Sequence, residues 1–121
     1  APDHPLCSQV CVDLSQLSSF PALLSKSNTF TRSIIEGDFE RQRLALNVAM
    51  STNHLDTIRM MVGIGMGWSV LPHTLINSQI KVIDTLAPPI IRQLGCVWHP
   101  QRSLSNAAQA FMALLEKSKL E

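Results

Sequence analysis

Short apolar runs that end in hydroxyl-rich steps and pass into amphipathic stretches recur along this chain, and that alternation restricts its fold more than any other feature. Phe20–Leu24 is apolar and runs into Ser25, Ser27, Asn28 and Thr29, residue types that cap helices. From Phe30 the apolar positions Phe30, Ile34, Ile35 and Phe39 recur at helical spacing until the charged stretch Glu36–Arg43 dilutes the pattern. The pattern predicts a strand feeding an amphipathic helix. Leu44–Met50 is almost wholly apolar, too short for a typical helix, and predicts a strand covered on both faces. Ser51, Thr52 and Asn53 then offer caps to a second helix, whose buried stripe is Leu55, Ile58, Met61 and Val62. Asp56 falls in its first turn, where the helix dipole favours a carboxylate, and Gly63 or Gly65 supplies a left-handed stop.

The same order continues. Trp68–Leu71 predicts another short strand closed by Pro72, His73–Asn77 one turn of helix, and Ile80–Ile83 a further strand. Ala87-Pro88-Pro89 marks a rigid connection, and Gln93–Trp98 predicts a last strand. Ser103 or Ser105 opens a final helix with Leu104, Ala108, Phe111, Leu114 and Leu115 inward, and Lys117 and Lys119 complement its C-terminal dipole. The expected class is therefore α/β, a mainly parallel sheet with helices on both faces, in which ligands bind outside the carboxyl ends of the strands.

A length of 121 residues suits one domain or a large part of one. Ten Lys and Arg against nine Asp and Glu leave a net charge of +1, and the basic residues are scattered from Lys26 to Lys119. That distribution argues against a nucleic-acid surface on these residues. No stretch reads as a membrane span or a signal peptide, because Arg59, Asn77 and the prolines interrupt the apolar runs and the start APDHPLC has no apolar h-region. Cys7, Cys11 and Cys96 are odd in number, and reduced thiols in the cytoplasm are the simplest expectation. His4, Cys7 and Cys11 lack the fourth ligand and the second ligand pair that a structural zinc needs, so no metal or cofactor is expected.

Gly63-Ile64-Gly65-Met66-Gly67 has a dinucleotide-like look, but these glycines follow a helix and precede a strand, so no helix N-terminus points at a phosphate. A helix stop with close backbone packing is the expected role. No G-x-S-x-G elbow occurs, and none of the cysteines has a nucleophile signature around it, so an enzyme is not expected. Glu36, Asp38 and Glu40 lie beside Arg41 and Arg43 in a polar stretch that reads as a solvated helix end. Trp68 and Trp98 sit in apolar strands and read as packing residues. The hydroxyl-rich steps carry more. Ser25, Ser27, Asn28 and Thr29, and again Ser51, Thr52 and Asn53, stand where a strand ends and a helix begins, a place suited to a small anion or polar ligand. Ordinary capping is the competing role for each of them.

Gly65-Met66-Gly67-Trp68-Ser69-Val70-Leu71-Pro72, with Val62 and the helix Asn53–Ile64 before it, resembles the V-x-x-G-x-G-x-x-x-L-P segment of LysR-type transcriptional regulators. Asp3-His4-Pro5-Leu6 resembles the H-P-L step by which that family's chain crosses into its second subdomain. Leu104-Ser105-Asn106-Ala107-Ala108 to Phe111 resembles its closing L-S-x-A-A-x-x-F helix. The three matches fall in the family's order and cover nearly the whole chain.

The resemblance implies a Rossmann-like subdomain of a periplasmic-binding-protein-like fold. In such regulators two subdomains clamp a small effector, and an N-terminal winged helix-turn-helix, not present in this chain, binds DNA. It implies that residues 1–121 are a partial effector-binding domain, with about 7–84 as its second subdomain and about 85–121 as the return strand and C-terminal helix of the first. Ser25–Thr29 and Ser51–Asn53 would then form a wall of the effector cleft, and effector binding would act by shifting subdomain closure. The stripe of Leu104, Phe111, Leu114 and Leu115, deprived of the sheet it covers, implies self-association. A solute-binding protein of a transporter shares this architecture and is the alternative. A small α/β enzyme using the same loops would need a strongly shifted acid or base beside Ser51 or Ser27.

Overall fold

Ala22, Leu23 and Leu24 form β1, and all three are fully covered. In the computed structural model, which describes residues 1–118, β1 runs parallel to β2 (Val48–Ser51), with Ala22 opposite Val48, Leu23 opposite Met50 and Leu24 opposite Ser51. On the other edge of β1, Leu23 N donates to Trp68 O at 2.9 Å and Trp68 N donates to Pro21 O at 3.0 Å. The strand is thus hydrogen-bonded on both edges. Parallel neighbours need crossovers, and helices supply them: α2 (Phe30–Arg41) between β1 and β2, and α3 (Leu55–Gly63) between β2 and Trp68. Ahead of β1 come a 3-10 turn, Pro5–Ser8, and a short helix α1, Leu14–Ser18.

Alternation along β1 divides the core in two. Ala22 and Leu24 join Leu6, Val12, Leu14, Leu17, Trp68 and the α2 residues Ile35 and Phe39 in one cluster. Leu23 points the other way, to Ile58 and Val62 of α3 and to Ile80. The Phe39 ring stacks on Trp68 with centroids 6.0 Å apart, and the Trp68 indole N–H donates to Leu17 O at 3.0 Å, so its one polar atom is satisfied inside the core.

Gly65 has φ +85°, the left-handed stop expected after the second helix. Gly67 serves close packing, since a Cβ there would overlap the carbonyl oxygen of Pro21. That contact is what brings the Trp68 backbone against β1.

The α1 helix went unread in the sequence. Its start is a reciprocal capping box, in which Asp13 Oδ1 accepts from Gln16 N at 2.8 Å and Gln16 Oε1 accepts from Asp13 N at 2.9 Å. The Gln16 amide, then the Ser15 hydroxyl, hold the Asp13 carboxyl below its ordinary range.

Other strands fall short of expectation. Leu44–Met50 yields only Val48–Ser51, and its exposure alternates instead of showing cover on both faces. Trp68–Leu71 contributes a single bridge to β1, and Val12 pairs once with Thr85 just beyond Ile80–Ile83. Gln93–Trp98 forms no strand and is exposed throughout. The predicted turn appears as a 3-10 turn, His73–Leu75.

The last helix, α4, runs Asn106–Ser118, with Ser105 Oγ accepting from Ala108 N at 3.3 Å. Leu104, Ala108 and Leu115 are half-buried, but Phe111 and Leu114 are exposed rather than inward. Lys119 lies outside the described residues.

Candidate functional site

Because β1 and β2 are parallel, their carboxyl ends fall on one edge of the sheet and bring the two hydroxyl-rich steps together. Thr52 N donates to Leu24 O at 3.0 Å, Lys26 N to the Asn53 side-chain oxygen at 3.0 Å, and Ser51 Oγ to Ser25 O at 3.4 Å. From below, the buried Arg32 donates through Nη1 to the same Ser25 carbonyl at 3.1 Å, while its Nε holds Glu36 at 2.7 Å. Backbone, amide, hydroxyl and guanidinium thus fix one loop against the other.

Neither helix that starts here receives a side-chain cap. Thr29 is the N-cap of α2, yet its hydroxyl donates back to Lys26 O at 2.9 Å and meets Ser25 Oγ at 2.8 Å. His54, not Ser51, Thr52 or Asn53, is the N-cap of α3, and Thr52 Oγ1 accepts from His54 N at 3.2 Å. Capping, the competing role for these residues, is therefore not what Thr29 does. The first-turn amides of α2 keep their hydrogen-bonding capacity, and no acidic side chain sits among them.

Above the strand ends lies a cavity of about 590 Å³. One wall carries Ser25, Thr29, Thr31 and Asn53, a second Leu55, Val70, Leu71, Pro72 and Thr74, and a third Ile90, Arg92 and Leu94 from the extended return segment. Of the seven residues expected from sequence, Ser25, Thr29 and Asn53 line it. Ser51 and Thr52 buttress the loops instead, and Ser27 and Asn28 are exposed outside the lining. Two other hollows, of about 550 and 420 Å³, are walled in part by α2 and contain none of the seven.

Sequence reasoning missed the second and third walls. Leu71-Pro72 was legible as a strand end, which parallel pairing would place on this edge. Arg92 was a lone cation in an apolar run after two prolines, a weaker signal. It is the one charged residue in the lining, and among the described residues it has no hydrogen-bond or ion-pair partner. Among the described residues no group of three or more His, Cys, Asp or Glu gathers as a metal site, and no helix is long and apolar enough to cross a membrane. The chemistry on offer is recognition by hydroxyls, amides and one cation.

The sequence and the fold match known proteins. The HTH-type transcriptional activator CmpR of Synechocystis is 29% identical over 117 residues, which cover 93% of this chain and 38% of CmpR. The Synechocystis CcmR regulatory domain, solved in complex with 2-PG, superposes with a TM-score of 0.76 at 24% identity, over 97% of this chain and 59% of that one. The effector binding domain of QuiR, solved in complex with shikimate, gives a TM-score of 0.70 at 19% identity, over 93% of this chain and 55% of that one. The chain thus spans well under half the length of the curated relatives it matches. The fold is α/β and periplasmic-binding-protein-like, as expected from the sequence. The LysR substrate binding domain family model matches residues 1–119, and the chain belongs to that family.

Proposed function

We propose that this chain is the effector-sensing part of a bacterial LysR-type DNA-binding transcriptional regulator, and that a small polar or anionic metabolite binds at the carboxyl ends of β1 and β2. The observation that carries this reading is the convergence of Ser25, Thr29 and Asn53 on one cavity, beside a helix start that no side chain caps. The complexes of the CcmR domain with 2-PG and of the QuiR domain with shikimate support it. On this reading residues 7–84 are the second subdomain and 85–121 the return segment of the first, DNA is contacted through a separate N-terminal domain, and the protein works in the cytoplasm. Binding acts by favouring one subdomain arrangement over another, with no bond made or broken. The relatives are transcriptional regulators, which disfavours a transporter's solute-binding protein. The small-enzyme alternative needs an acid or base in the lining, where Arg92 is the one ionisable side chain among the described residues.

A thermal-shift screen of polar and anionic metabolites tests the site. A binder raises the melting temperature through mass action, and Thr29→Val, which removes one hydroxyl, abolishes the rise measured against the variant's own unligated melting temperature. An undiminished rise in the variant would place the ligand elsewhere. The exposed stripe of Phe111 and Leu114 on α4 further supports self-association through that helix. Sedimentation is expected to show dimers or larger species that Leu114→Ser converts to monomer; a clean monomer of the unmodified chain at high concentration would refute it.

A further inference from the structure

We propose that Arg92 reads the charge of the effector, and that the ligand is a small organic carboxylate with an apolar body; this rests on the cavity being the effector site. In the return segment Ile90, Arg92 and Leu94 line the cavity while Ile91 and Gln93 between them do not, the alternation of an extended chain. Arg92 therefore stands between two aliphatic residues on the cavity side of the segment. Arginine stays protonated across the accessible pH range. No carboxylate in the lining and no partner among the described residues neutralises it.

The facing wall has the same electrostatic sense. It is the start of α2, the positive end of a helix dipole, with no acidic residue in its first turn and with hydroxyls at Ser25, Thr29 and Thr31. An anionic group between these walls meets the planar fork of a guanidinium, which fits the two oxygens of a carboxylate. A phosphate ester fits the same fork but carries up to two negative charges, one more than the single side-chain cation of the lining balances. The rest of the lining, Leu55, Val70, Leu71 and Pro72, offers little to a polar group and suits a hydrocarbon body.

The test uses three probes of one shape, cyclohexanecarboxylate, cyclohexanecarboxamide and cyclohexyl phosphate, titrated into the 121-residue chain and followed by backbone amide NMR. The carboxylate is expected to shift the amides of Thr29, Thr31 and Asn53 and to bind about tenfold or more tightly than the carboxamide, the difference a charge-assisted hydrogen bond makes. Arg92→Gln is expected to erase that advantage without changing carboxamide binding. Arg92 is exposed and unpaired, so the variant should keep the parent amide spectrum outside the cavity. Equal binding of carboxylate and carboxamide, or an undiminished carboxylate preference in Arg92→Gln, overturns the inference while the responding amides still support the site. Tighter binding of the phosphate overturns the carboxylate assignment. Shifts confined to residues outside the cavity, or no shifts with any probe, overturn both the inference and the site.

Discussion

Residues 1–85 and residues 86–118 carry the same kind of sequence and meet different fates. Among the described residues every buried side chain lies at or before Ile80, and none lies in the return segment or α4. The α3 helix presents Ile58 and Val62 to Leu23, and both are covered. The amphipathic α4 presents Phe111 and Leu114, and they remain 57% and 65% exposed. Amphipathic sequence creates a face to be buried, but a strand underneath is needed to bury it. In the first region parallel crossovers return each helix over β1. The second has an extended segment and a helix with no strand in register beneath them.

The largest expected effect tests that contrast directly. Phe39→Ala removes a ring only 2% exposed and stacked on Trp68, and should cost about 3–5 kcal/mol in urea unfolding. Phe111→Ala, measured in the monomeric Leu114→Ser background, should stay within about 0.5 kcal/mol. A cost above about 2 kcal/mol there would mean that α4 is packed against its own chain, and would break the comparison.

Gly67→Ala comes next. The added methyl has to displace the Pro21 carbonyl from the edge of β1, which should cost about 1–3 kcal/mol, toward the upper end because backbone must move. The same change at Gly95, which has open space around it, should have no comparable effect. Equal costs at the two glycines would show that backbone flexibility, not close approach, governs Gly67.

The smallest effect lies at the margin of the packed region. Burial, and secondarily the α-ammonium group, lower the His4 imidazole below its ordinary value of 6.5. As pH falls below 6.5 the unfolded chain takes up this proton before the folded chain does, so His4 makes stability decline between 6.5 and the lower folded-state pKa, with no further change beneath it. His4→Asn, which retains a capping residue for Pro5–Ser8, should flatten that part of a plot of melting temperature against pH. An unchanged slope would assign the decline to other groups.

Much of the packed region was legible in the sequence. Phe20–Leu24, the stripe of Ile35 and Phe39, and that of Ile58 and Val62 each combine the right period with a fitting boundary, and all became elements of the core. The α1 helix was not read because five residues are too few to show a period, and only the Asp13–Gln16 spacing marked it. Three of seven expected site residues line the cavity. Position at a strand end told which loops converge, but not which of their side chains turn inward.

What the sequence determined by itself was local: element type from hydrophobic period, boundaries from hydroxyls, glycines and prolines, and the family from motifs in order. Tertiary structure alone decided that Thr29 leaves its helix uncapped, that Gly67 meets Pro21, and that Arg92 and Ser25 line one cavity. Each depends on which segments lie side by side, and that is set by packing and backbone pairing between residues far apart in the chain. The same physics separates Phe39 from Phe111: periodicity marks both as core-facing, and only a covering partner makes one of them core.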